Sequence, residues 1–157
     1  MRKLLLSFCT QFLILFLLGP DIDLSAQAPA IEWQQTYGGT DADFMNVALS
    51  TSDGGYFFAG DSYSSMTGNK TENSNGTTDY WVIKTDANGT IQWQNTIGGS
   101  AYDVLYDAHQ TPDGGFIIGG YSSSGISGDK TESNLGEQDY WVLKLDNSGA
   151  ITWQNSL

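Results

Sequence analysis

Carboxylates are the groups in this chain best able to do chemistry, and they recur. Asp43 and Asp103 each follow a glycine pair, Gly38-Gly39 and Gly98-Gly99, while Asp79 and Asp139 each open an Asp-Tyr-Trp-Val run. Carboxylates set among Asn side chains and backbone carbonyls can hold Ca²⁺, which takes roughly six to eight oxygens. These four are therefore the calcium candidates. No Asp-x-Asp-x-Asp-Gly spacing with a distal Glu accompanies them, and a hydrogen bond from a strand end to the adjoining loop is the plainer role. No other cofactor is expected.

The second recurring group is Lys70-Thr71-Glu72, which returns as Lys130-Thr131-Glu132 inside an otherwise variable polar loop. Loops carry function more often than the elements they join, so Lys70, Glu72, Lys130 and Glu132 are the binding-loop candidates. Duplication of a unit would also preserve them without any ligand, and that is the simpler account.

The remaining polar residues read as structural. Asp53 and Asp113 stand in Asp-Gly-Gly, where a tight turn wants Asp and glycines free to take positive φ. Asp86 and Asp146 open Asp-x-x-Gly turns. Lys84 and Lys144 are expected to lay their stems along a sheet with the amine near a carboxylate. His109 is the sole histidine and its counterpart is Leu49, which is no basis for a metal or catalytic site. There is no Gly-x-Ser-x-Gly, no His-Glu-x-x-His and no phosphate-binding glycine loop. No catalytic residue is assigned, although a glycosidase pair is defined by distance in space and not by sequence spacing.

All these residues sit in one repeating frame. Ile31-Glu32-Trp33-Gln34 returns as Ile91-Gln92-Trp93-Gln94 and as Ile151-Thr152-Trp153-Gln154, with the tryptophans 60 residues apart. A fixed period of this length marks a repeated supersecondary unit that buries its apolar faces by stacking on its neighbours. The units are 31–90 and 91–150, and 151–157 begins a third.

Within each unit, short runs of aromatic and β-branched residues are separated by Gly, Asn and Asp, with no helical period. The first strands are expected over 44–51 and 104–111. Asp-Gly-Gly hairpin turns lead to second strands over 56–62 and 116–122. Polar loops, 64–78 and 124–138, lead to third strands over 79–84 and 139–144, and the Ile-x-Trp-Gln stretch supplies the fourth. In Asp79-Tyr80-Trp81-Val82-Ile83 both alternating faces are apolar, so each sheet must be covered on both sides. The fold class is all-β: two four-stranded antiparallel sheets of propeller-blade type in an incomplete ring. Ile31–Tyr37 is expected as a strand whose own sheet lacks its other three, and Ile151–Leu157 as the strand completing the second sheet.

Charge and the N-terminus bound the setting. The formal net charge is −12, and only Lys70, Lys84, Lys130 and Lys144 follow the N-terminal region as lysines. Such a surface repels phosphate backbones and anionic membranes, which argues against nucleic acid as a partner. Residues 1–28 read as a secretory signal peptide: a basic start at Arg2-Lys3, an apolar run over 4–18, and small residues at Ala26 and Ala28 near the cleavage point. The run is too short to be preferred as a membrane anchor. Cys9, the only cysteine, leaves with it, so stability rests on packing and not on a disulfide.

The motif order Ile97-Gly98-Gly99, Asp113-Gly114-Gly115-Phe116, Gly119-Gly120, Asp139 to Lys144 and Asp146 to Gly149 resembles the SBBP type of bacterial β-propeller repeat, from Ile31 onward. The resemblance implies a secreted or surface-attached protein, commonly exported by a type IX-like route, with no assigned activity. Propellers use roughly four to eight blades, so two repeats are expected to be a piece of a larger ring, or to need an oligomer or partner to cover the terminal faces. The expected function is a non-enzymatic extracellular binding or scaffold module meeting a protein or glycan. The alternatives are an extracellular propeller enzyme acting on glycans, as hydrolase or lyase, and a truncated fragment without independent function.

Overall fold

The structure, a computed structural model, describes residues 28–157. The signal peptide expected over 1–28 and Cys9 lie outside the described residues, apart from Ala28. The chain divides into two units, Met1–Glu32 and Trp33–Leu157, and every strand belongs to the second.

The protein is all-β. Eight strands run in chain order: β1 Asp43–Ser50, β2 Tyr56–Ser62, β3 Asp79–Thr85, β4 Ile91–Ile97, β5 Asp103–Gln110, β6 Phe116–Ser122, β7 Asp139–Leu145 and β8 Ile151–Ser156. They form two four-stranded sheets, β1-β2-β3-β4 and β5-β6-β7-β8, with every pair antiparallel. The registers agree at the repeat spacing: Asp43 faces Ser62 as Asp103 faces Ser122, and Gly60 faces Trp81 as Gly120 faces Trp141. Even the irregularities recur, at Met45/Val47 and at Leu105/Asp107. Among the described residues no helix is long and apolar enough to cross a membrane.

Local chemistry accounts for the turns. Gly54 and Gly114 take φ of 85° and 82°, a conformation open to glycine without steric cost. Beside them Asp53 and Asp113 accept from the backbone N–H of Gly55 and Gly115 at 3.2 and 3.1 Å. Lys84 and Lys144 reach across from the third strands to the same carboxylates, at 2.8 and 3.0 Å.

The stretch Ile31–Tyr37 is not a strand, contrary to the expectation from its sequence. A strand exists by virtue of a hydrogen-bonded neighbour. Its copies find one, β4 on β3 and β8 on β7, whereas no strand precedes 31–37 among the described residues. Side chains hold part of it instead. Trp33 meets the Tyr56 ring edge-on at 5.4 Å, and the Tyr37 hydroxyl donates to the Gly89 carbonyl at 2.5 Å.

The core lies between the sheets, and the two do not offer it the same face. The first sheet contributes Phe57, Ala59, Tyr80 and Val82; the second contributes Phe116, Ile118, Trp141 and Leu143. Phe57 and Tyr80 correspond by repeat to Ile117 and Tyr140, which lie on the opposite face of the second sheet. The packing is therefore head to tail: one face of the first sheet lies on the other face of its copy.

Candidate functional site

The four repeated aspartates stand at strand entries and are met by donors. Asp43 accepts from Gly39 N–H at 2.8 Å, from the Ser64 hydroxyl at 3.1 Å and from the Ser62 hydroxyl at 2.5 Å. Asp103 accepts from Gly99 N–H at 2.7 Å and the Ser124 hydroxyl at 2.9 Å. Asp79 takes the N–H groups of Asn75 and Gly76 at 2.7 and 3.4 Å, and Asp139 those of Leu135 and Gly136 at 2.6 and 3.2 Å. Each carboxylate thus pins a loop to a strand end, satisfying backbone donors that would otherwise be orphaned.

Asp79 and Asp103 are fully buried, and Oδ1 of each has no hydrogen-bond partner. Burial pushes the Asp79 carboxyl up, the two backbone donors oppose the shift, and the charge of Asp103 adds to it. Asp79 Oδ1 lies against Gly98, where a Cβ would collide with it. Among the described residues no three His, Cys, Asp or Glu side chains converge as a metal-binding group.

The Lys-Thr-Glu loops fold back over the outer sheet edges. Lys70 and Lys130 are 2 % and 1 % exposed. Lys70 Nζ donates to the carbonyls of Ser64 and Glu72 at 2.8 and 3.2 Å, and Lys130 Nζ to the Ser156 hydroxyl while lying 5.4 Å from the centre of the Trp141 ring. Burial holds both ammonium groups below the usual lysine range. Glu72 accepts from Thr96 N–H at 2.5 Å and Glu132 from Ser156 N–H at 2.6 Å. These N–H groups belong to the edge strands β4 and β8, so each glutamate closes a donor that an added strand would otherwise use. The structure brings Lys, Glu and edge strand together and turns both ammonium groups inward.

Gln94 and Gln154 complete the same joint, and the sequence carries their signal in the recurring Trp-Gln pair. Gln94 Oε1 accepts from Trp81 Nε1 at 3.0 Å while its Nε2 donates to Asn69 O at 2.7 Å. Gln154 repeats this with Trp141 at 3.1 Å and Asp129 O at 2.8 Å. His109 lies at the surface, 3.3 Å from Asp107.

Among the described residues, a concavity of ligand size opens on the face of the first sheet turned away from the second. It holds about 270 Å³ and is walled by Tyr37, Met45, Phe58, Trp81 and Ile83, with Asp43 at its edge. Its walls suit an apolar or aromatic guest. The chain matches no family model and no curated protein.

Proposed function

We propose that the two sheets are successive propeller-type blades of a secreted, non-enzymatic binding or scaffold module, related to the SBBP type of repeat. The observation that carries the reading is the head-to-tail packing of equivalent sheets. A unit that presents one face to the next copy and receives the previous copy on the other is the stacking logic of repeat folds. The recurring loop and the two-sided apolar strands support it.

The polar chemistry favours binding over catalysis. The repeated aspartates accept hydrogen bonds from their own loops, and the repeated lysines are held inside the sheets or their loops. A general acid or nucleophile needs a group free to meet substrate. The partner is a protein or glycan met by the loops. Incubating the chain with a panel of polysaccharides, chromogenic glycosides and a denatured protein substrate tests this, and no turnover is expected. Hydrolysis or elimination that is lost in Asp43→Asn or Asp103→Asn would overturn it.

A further inference from the structure

Inside the chain, Tyr80 of the first sheet is a plug. It is fully buried, its ring centre is 5.2 Å from that of Trp141, and its hydroxyl donates to the Trp141 carbonyl at 3.1 Å. On the second sheet the core around it includes Leu105, Ile118, Trp141 and Leu143. One repeat earlier these positions are Met45, Phe58, Trp81 and Ile83, and those four residues wall the open cleft together with Tyr37, the counterpart of Ile97 on the sheet of Tyr80 itself. The cleft is thus the Tyr80 socket without its plug.

Among the described residues, the matching plug without a socket is on the second sheet. Tyr140 is the repeat counterpart of Tyr80 and is 72 % exposed. Cross-strand register puts it on one face with Val142 and Ile117, the counterparts of Val82 and Phe57, which are sealed in the core. Met45, at the cleft, is likewise 64 % exposed where its counterpart Leu105 is fully buried. One molecule therefore carries both halves of the contact it makes within itself.

We infer that a second copy of this chain docks head to tail on the first sheet, with its Tyr140 entering the cleft beside Trp81. The inference rests on the reading of the sheets as successive blades. The interface is heterologous, so it propagates to a closed ring or an open row and not to a two-fold dimer. Trp33 competes with it. Trp93 reaches from β4 to the Asn147 carbonyl of the second sheet, and Trp33 occupies the matching place near Gly89. The docking copy's Trp153 belongs there and its Leu157 belongs where Tyr37 lies, and Trp33 and Tyr37, held by no strand ladder, give way to them.

Sedimentation velocity on the full chain freed of its leader, over rising concentration, tests the assembly. The wild type is expected to associate, and Tyr140→Glu and Met45→Glu each to weaken this roughly thirtyfold or more, as losing an interface anchor does. An equimolar mixture of the two variants retains one intact plug and one intact socket, so it is expected to give dimers and nothing larger. Trp33→Ala is expected to tighten wild-type association. A wild type monomeric at millimolar concentration, or a mixture that stays monomeric, overturns the inference. Tyr80→Ala separates this from the blade reading: a sharp loss of thermal stability in a monomeric protein leaves the internal packing standing, whereas no loss sinks the blade reading itself.

Discussion

Phe57 and Phe116 lie ring on ring, with centroids 3.9 Å apart and planes 11° apart, and they are not repeat counterparts. Phe57 corresponds to Ile117 and Phe116 to Tyr56. The contact therefore joins unlike faces of like sheets, and both rings are out of water. Truncating either to alanine is expected to cost about 3–5 kcal/mol. The double variant should fall short of additivity by about 0.5–1.5 kcal/mol, the coupling of an aromatic pair. Urea unfolding of the four proteins of the cycle measures both.

Glu72 and Glu132 guard sheet edges, so their loss should appear first as aggregation. Each accepts one strand N–H, and losing such a charge-assisted bond costs about 1.5–3 kcal/mol. Glu72→Ala with Glu132→Ala is expected to raise light scattering on incubation below the melting temperature, because the freed edges pair with other chains. Glu→Gln retains an acceptor and should rescue most of the effect.

Stability should pass through opposing windows as pH falls. Asp113 is held down at about 2 by hydrogen bonds from Thr111 and Lys144, against an ordinary 3.8, and Asp53 is lowered by Lys84 and Thr51. A depressed carboxyl contributes stability that is present above 3.8 and lost as pH falls through the folded value. Asp79, Asp61 and Asp129 are raised by burial. Their contribution is present below the ordinary value and lost as pH rises. The melting temperature is expected to hold or climb from neutral pH toward about 5, then fall below about 3.8. In Asp53→Asn/Asp113→Asn the acid fall should be shallower, which calorimetry across pH will show.

Asp43, Asp79, Asp103 and Asp139 each have at least one oxygen met by N–H or O–H donors, which compete with a cation for that oxygen. EDTA, and calcium added at millimolar concentration, are accordingly expected to leave the melting temperature unchanged. A rise of several degrees with calcium, the mark of a ligand binding the folded state, would make these four metal ligands.

Much of this architecture is legible in the residues. Asp-Gly-Gly fixes the β2 and β6 hairpins, and the alternation in Asp79-Tyr80-Trp81-Val82 gives a strand that is apolar on both faces. The role of Glu72 is not legible, because it depends on a loop folding back on a strand 24 residues further along. The strand expected at Ile31–Tyr37 fails because pairing needs a neighbour, which no local pattern supplies. Tyr80 and Tyr140 show the limit most sharply: the same residue in the same motif is sealed in one sheet and open in the other. Only the stacking of sheets decides between them, and the cleft beside Trp81 is hidden from the sequence for the same reason.

The contact made through Tyr80 inside the chain is one the molecule is shaped to repeat through Tyr140. Melting temperature against protein concentration is the decisive measurement, since association with the folded state makes melting concentration-dependent. The wild-type melting temperature is expected to climb as concentration rises from micromolar to millimolar, that of Tyr140→Ala to stay flat, and that of Tyr80→Ala to lie lower at every concentration. A wild-type curve as flat as that of Tyr140→Ala would contradict the repeated contact.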